Sequence, residues 1–310
     1  MSRFSQSDRV SIAALFILSL LESSAVLVHD LLPNLSSVAF PSLQYSALAL
    51  GLFGLLAAIA ATFRRHHWSF GPQLWLPIVA GLTLFAIPAA LSAIAARSIP
   101  PLTIAALQTL APLFCIILEP YLASSTASDS QPRYGILPAL IAFSGVLLIF
   151  PVFVPSSYSV ALALTAALAA AFSTGAGNCL AVRAAAADTS LAVTAATASI
   201  SASLTLGLLS TIIEQPRFTA AMVDIENLWP LILQILALAL LFWLARRITA
   251  PRLATRVIWA LILPILIEIA FLPVPFTLRN GIGLALMACG AGALLLLRNP
   301  VSEQSSLSLR

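Results

Sequence analysis

Two stretches decide the architecture: ARSIPPLTIAALQTLAPLFCIILEPYL, residues 96–122, and ARRITAPRLATRVIWALILPILIEIAFL, residues 245–272. Each opens on an arginine, has proline and threonine soon after, and continues as an apolar run with a central proline and a glutamate. A run of about 20 mostly apolar residues is what a helix needs to cross the hydrocarbon core of a bilayer. Each stretch therefore reads as one membrane span, and their similarity reads as an internal repeat.

The same length rule predicts further spans on either side. Helices are expected near 10–31, 42–63, 73–96, 101–122, 134–153, 159–183, 189–213, 228–246, 253–272 and 280–298. The two opening stretches then fall in the fourth and ninth positions. The spans after them also match, because PALIAFSGVLLIF from Pro138 and GLALMACGAGALLLL from Gly283 each place a glycine seven residues on. Two similar halves of five spans follow, and because five is odd the second must enter the membrane upside down relative to the first.

Composition agrees. Of 310 residues 60% are hydrophobic and only 8% charged, against about 25% charged in a soluble domain. Every cation is an arginine. The net charge of +4 is not a nucleic-acid signal, because the charges sit at the ends of apolar runs. With the N-terminus in the cytoplasm, twelve arginines fall in inward loops and only Arg97, Arg217 and Arg279 outside. That bias orients the chain with both termini cytoplasmic. Trp68, Trp75 and Trp243 are expected at the inner interface and Trp229 at the outer one. The polar start leads into a first span without an A-x-A cleavage pattern, so it reads as a helix and not as a removed signal peptide. The expectation is an all-α polytopic membrane protein: ten transmembrane helices as two inverted five-helix repeats, 1–155 and 156–298, and a polar cytoplasmic tail, 299–310.

The arrangement resembles the drug/metabolite transporter superfamily, in particular its ten-helix EamA-like branch. The resemblance covers nearly the whole chain. It is carried by AARSIPPLTIAALQTLAPLF and LARRITAPRLATRVIWALILPIL, similar to the family's helix 3–4 and 8–9 junctions, and by the GILPALIAFSGVLLIF and GIGLALMACGAGALLLL closing helices. It implies a secondary transporter of small metabolites or drugs without implying a particular substrate. The family often ends its fourth helix on Gly-Glu, whereas here Glu119 comes earlier and is followed by Pro120, so no role is carried over to that acid.

The residues themselves nominate a site. Pro112 and Pro264 lie near mid-membrane in the fourth and ninth spans, and a helical proline frees one carbonyl, here those of Gln108 and Ala260. Such breaks in corresponding helices of two halves point to a substrate site near the midplane, although harmless kinks produce the same pattern. An intramembrane carboxylate costs about 2.5–3.5 kcal/mol on insertion scales and usually faces the bundle interior. Glu22 is mid-span, whereas Glu119 and Glu268 lie about one turn from a helix end. Burial favours a neutral Glu22 unless a cation or donor stands near, and a carboxylate that titrates could couple protons to solute movement.

Gln108, Asn178 and Gln234 are polar amides that contact substrate or bond helix to helix, and Trp259 either covers a substrate or packs. Ser23 and Ser24 are expected to satisfy helix carbonyls. Arg256 could meet an anion from the cytoplasm, but the clear mid-membrane ions are acidic. Neutral or cationic solutes therefore rank ahead of sugar phosphates and nucleotide sugars.

No H-E-x-x-H or G-x-S-x-G pattern appears, nor a filter motif or charge ring, so neither an enzyme nor a channel is expected. A membrane scaffold of the same fold is the other alternative. Cys115, Cys179 and Cys289 lack metal-site spacing and read as small core residues. No metal, cofactor or nucleic acid is expected. The expected partners are the bilayer and a small organic solute. The plasma membrane is the expected location, with Golgi or ER as the alternative, and the oligomeric state stays open.

Overall fold

The computed structural model describes residues 6–31, 42–64, 74–122, 133–150, 157–187, 190–214, 225–271 and 277–296. Every regular element among them is helical. The helices are α1 (Gln6–Leu31), α2 (Ser42–Phe63), α3 (Trp75–Gly81), α4 (Ile87–Ala95), α5 (Pro101–Gln108), α6 (Ala111–Leu122), α7 (Arg133–Ile149), α8 (Tyr158–Ala186), α9 (Leu191–Ile213), α10 (Ile225–Ala245), α11 (Ala250–Ala254), α12 (Arg256–Phe271) and α13 (Leu278–Leu296). Joined across short breaks, α3 with α4, α5 with α6, and α11 with α12 reproduce the ten expected stretches to within about one turn. Among the described residues seven stretches are long and apolar enough to cross a membrane, and Gly135–Ile149 and Trp229–Ala245 are shorter apolar helices. Trp68 and the tail from 299 lie outside the described residues.

Small residues go inward and large ones outward. Ala49, Ala61, Ala86, Ala142, Ala170 and Ala196 are fully buried, while Leu55, Phe63, Leu137, Leu204 and Ile212 are exposed. Lipid is as apolar as leucine, so such helices gain by close contact between backbones and not by hiding leucine from water. The α7–α13 pair shows how close. A Cβ on Gly290 would lie 2.5 Å from the Ala142 nitrogen and from the Pro138 oxygen, and one on Gly145 would lie 2.4 Å from the Gly283 oxygen. The glycines matched in the repeat are thus the contact surface of these two helices, which run antiparallel. The α2–α9 pair is antiparallel as well: Gly51 meets Ser203, Gly54 meets Ile200, and the Ser203 hydroxyl donates to the Ala47 carbonyl at 2.6 Å.

The other principal contacts join α1 to α10 and α12, α8 to α6 and to α3–α4, α9 to α3, and α2 to α10. Charged side chains finish helix ends across these contacts. The Glu214 carboxylate accepts from the Leu43 amide at the start of α2, at 3.0 and 3.1 Å. Arg97, Arg183 and Arg279 donate to the carbonyls of Ile213, Leu122 and Leu148 at the ends of α9, α6 and α7. Acids suit helix starts and cations helix ends, so these side chains satisfy backbone groups that the helices themselves leave open.

Three interruptions shape the bundle. Residues Leu82–Ala86 form a π turn between α3 and α4. Pro88 cannot donate to the Leu84 carbonyl, and the wider turn absorbs the fault. The freed Thr83 carbonyl takes the Ser173 hydroxyl at 2.9 Å, and Gly177 leaves room for the swollen turn, since a Cβ there would lie 2.5 Å from the Leu84 Cα. The fourth span breaks at Thr109, as Pro112 predicts. The Thr109 hydroxyl donates to the Ala106 carbonyl at 2.6 Å, and the Thr109 amide reaches the same carbonyl.

The ninth span breaks at Thr255, whose hydroxyl donates to the Arg252 carbonyl at 2.6 Å. The expected break at Pro264 is therefore corrected. That proline lies inside α12, which runs through it, as membrane helices permit.

Cys115 on α6 and Cys179 on α8 are buried with their sulfurs 3.2 Å apart. One turn before Cys179, Gly175 lets the two helices close, and a Cβ there would sit 3.0 Å from the Cys115 nitrogen. Cys289 is exposed on α13, which corrects its expected core placement. Copper phenanthroline, an oxidant that removes the two thiol protons and two electrons, is expected to join Cys115 to Cys179 within one chain. The check is peptide mass spectrometry without reductant, and recovery of both as separately alkylated thiols would contradict the α6–α8 contact.

Candidate functional site

Glu22 on α1 forms an ion pair with Arg256, the first residue of α12. The two lie 234 positions apart and come from opposite halves of the chain. Local structure explains the placement. The break at Thr255 lets α12 restart at Arg256, and the turn before it carries Arg252 on α11. Both arginines are buried, with 7% and 6% of their surface exposed. Asp8 on α1 lies within electrostatic reach of Arg252. Around Glu22, Ser19 and Ser23 are buried and turn their hydroxyls onto the carbonyls of Leu15 and Leu20. The Ser23 expectation is met in this way, while the Ser24 side chain lies outside the described residues.

An ion pair in a low-dielectric interior is stable only when its remaining donors and acceptors are also satisfied. That condition is met in part. Arg256 engages Glu22 through Nη1, while its Nε is buried without a partner. Trp259, three residues further along α12, has a buried indole N–H that also lacks one. Its ring meets Phe16 of α1 edge to face at 4.5 Å between centroids, and it packs against both main core clusters.

The polar amides form a second group. Gln108 bridges three helices: its Nε2 reaches Ser92 Oγ on α4 at 3.4 Å, and its Oε1 accepts from the Thr174 hydroxyl on α8 at 3.2 Å. Asn178 is fully buried. Its Nδ2 donates to the Thr174 carbonyl at 2.7 Å, and its Oδ1 has no partner. Gly175 and Gly177 around it make the close approaches expected of the STGAGN run. The Gln108 bonds hold helices together, a kind of bond that contributes roughly 0.6 kcal/mol in membranes, whereas the Asn178 bond stays within α8.

The remaining expected residues lie apart from these contacts. Gln234 is half-buried on α10, Pro112 is buried at the head of α6, and Pro264 is buried within α12. Glu268 falls on α12, but its side chain lies outside the described residues. Glu119 is half-buried on α6. Sequence reading missed Arg256 as the partner of Glu22 and missed the burial of Arg252. The signal was available: a mid-span carboxylate requires a partner, and Arg256 is the cation set deepest into a span. Of the tryptophans expected at the membrane interfaces, Trp75 is exposed and Trp243 lies under the Arg247 guanidinium at 4.2 Å.

No family model matches the chain, and no curated protein matches it. Among solved structures 24 chains match. One, described as "Crystal structure of protein", is 17% identical with a TM-score of 0.69, covering 93% of this chain and 99% of that one. At that identity the likeness is one of fold. Among the described residues the chain is all-helical, and its seven candidate spans are those of a multi-pass membrane protein.

Proposed function

We propose that this protein is a secondary transporter of small organic solutes, a ten-span carrier of the EamA-like drug/metabolite kind whose site is built on Glu22 and Arg256. The observation that carries the reading is the ion pair itself. It joins the first span to the ninth, at the junction of the two halves, in a place where charge is costly and therefore usually functional. Both termini are cytoplasmic in this reading, and the membrane is the plasma membrane.

The helix contacts support two inverted repeats, 1–155 and 156–298. Exchange each span for its counterpart five places on, and the principal contacts map onto one another. The α2–α9 and α7–α13 contacts exchange into themselves. The α1–α12 contact becomes α8–α6, α1–α10 becomes α8 with α3–α4, and α9–α3 becomes α2–α10; all are present. Paired halves of this type place substrate sites near the midplane between repeats.

The test is flux in proteoliposomes holding the purified protein, across amines, amino acids, nucleosides and sugar phosphates. At least one class is expected to show saturable uptake that Glu22→Gln lowers by about tenfold or more while the variant still folds. Uptake absent for every class would favour a scaffold that keeps the fold without carrying solute, and uptake indifferent to Glu22→Gln would keep the carrier but remove Glu22 from its site.

A further inference from the structure

We infer that the solute is an organic anion, a carboxylate or phosphate, held by Arg256 in exchange for Glu22 and flanked by the indole N–H of Trp259. The inference rests on the transporter reading and deepens it by naming the substrate class. It also reverses the ranking drawn from the sequence, which treated the interior as acidic. Arg252 and Arg256 are not interfacial: each is more than nine-tenths buried. Their described acidic neighbours, Asp8 and Glu22, are both on α1.

The unfilled hydrogen-bonding positions give the argument its direction. At Arg256 and Trp259 the buried, unpartnered atoms are Nε and Nε1. Both are obligatory donors, since neither guanidinium nor indole N–H can accept. They lie three residues apart on α12, and helix geometry puts such residues on one face. A ligand that completes this face must bring acceptors. A carboxylate or phosphate does so, and its oxygens fit the forked edge of a guanidinium better than any ammonium could. An amine would find Glu22 already engaged and would meet the like charge of Arg256. Glu22 thus occupies the place a solute carboxylate takes, and binding is a competition between the two for one cation.

Competition gives a test with opposite signs for opposite charges. The full-length protein in detergent is titrated with citrate and glucose 6-phosphate as anions, putrescine as the cation and glucose as the neutral control. Unfolding midpoint and Trp fluorescence are the readouts. An anion is expected to raise the midpoint, and Glu22→Gln, by removing the competitor, to tighten its Kd by about tenfold. Glu22→Gln/Arg256→Gln, which removes both charges and so avoids a lone buried one, is expected to abolish binding. Trp259→Phe is expected to weaken it several-fold.

Stabilisation by putrescine that Glu22→Gln destroys would overturn the inference, and so would anion binding that survives the double variant. A panel in which neither anion binds overturns it as well. Failure here is separable from failure of the transporter reading. Glu22-dependent putrescine flux keeps the carrier and removes the anion, whereas Arg256-dependent anion binding without flux in proteoliposomes keeps the site and removes the carrier.

Discussion

Arg256→Ala is expected to destabilise the bundle by about 3–5 kcal/mol, and adding Glu22→Gln to recover a large part of the loss. Removing one member of a buried pair leaves the other charged and desolvated, which costs far more than the pair contributes when intact. Glu22 sits on α1 among apolar neighbours, with Phe16 and Leu18 on the preceding turns and Ser19 and Ser23 already committed to backbone carbonyls. These serines cannot readily compensate. The double variant removes the stranded carboxylate and retains only the lost packing of the arginine stem. Unfolding midpoints of the four chains in one detergent close the cycle, and equal losses in the single and double variants would mean that the pair is not formed.

Two glycines on α13, separated by one residue, are expected to respond to alanine with opposite signs. At Gly290 the added carbon would press on the backbone of α7, 2.5 Å from two main-chain atoms and 2.7 Å from the Ala142 Cβ. No rotamer change relieves a clash with backbone, so the two helices must separate, and overpacking of this kind costs about 1–3 kcal/mol. At Gly292 nothing lies within 4 Å. There alanine only restricts the unfolded chain and favours helix, a gain of up to about 1 kcal/mol. Thermal unfolding of G290A and G292A measures both. Shifts of the same sign would show that α13 does not present Gly290 to α7.

The spans were legible because a bilayer imposes one length and one composition on whatever crosses it, and the helices fall close to where the apolar runs put them. Interruptions were legible only where they had a local cause. Pro112 marks its break, whereas Thr255 breaks the ninth span without a proline just beyond it, and Pro264 is absorbed by α12. Partners were the hardest to read. An arginine at the head of a span ordinarily reaches interfacial water, so the signal that Arg256 turns inward lay in the need of mid-span Glu22 for a partner and not in the residues beside the arginine. Cys115 and Cys179 likewise have no motif spacing and meet only because α6 crosses α8 at Gly175. Gln108 and Asn178 were legible as polar residues needing partners, but their shared partner, Thr174, was not.

The large interfaces of this bundle have a mechanical consequence. The principal struts, α2 against α9 and α7 against α13, each tie one half of the chain to the other, so the halves are laced together instead of standing side by side. If the protein is the carrier proposed above, a rigid block that swings during its cycle must then contain pieces of both. The hinges of such a machine belong at the interruptions inside spans three, four and nine, where the backbone is already jointed.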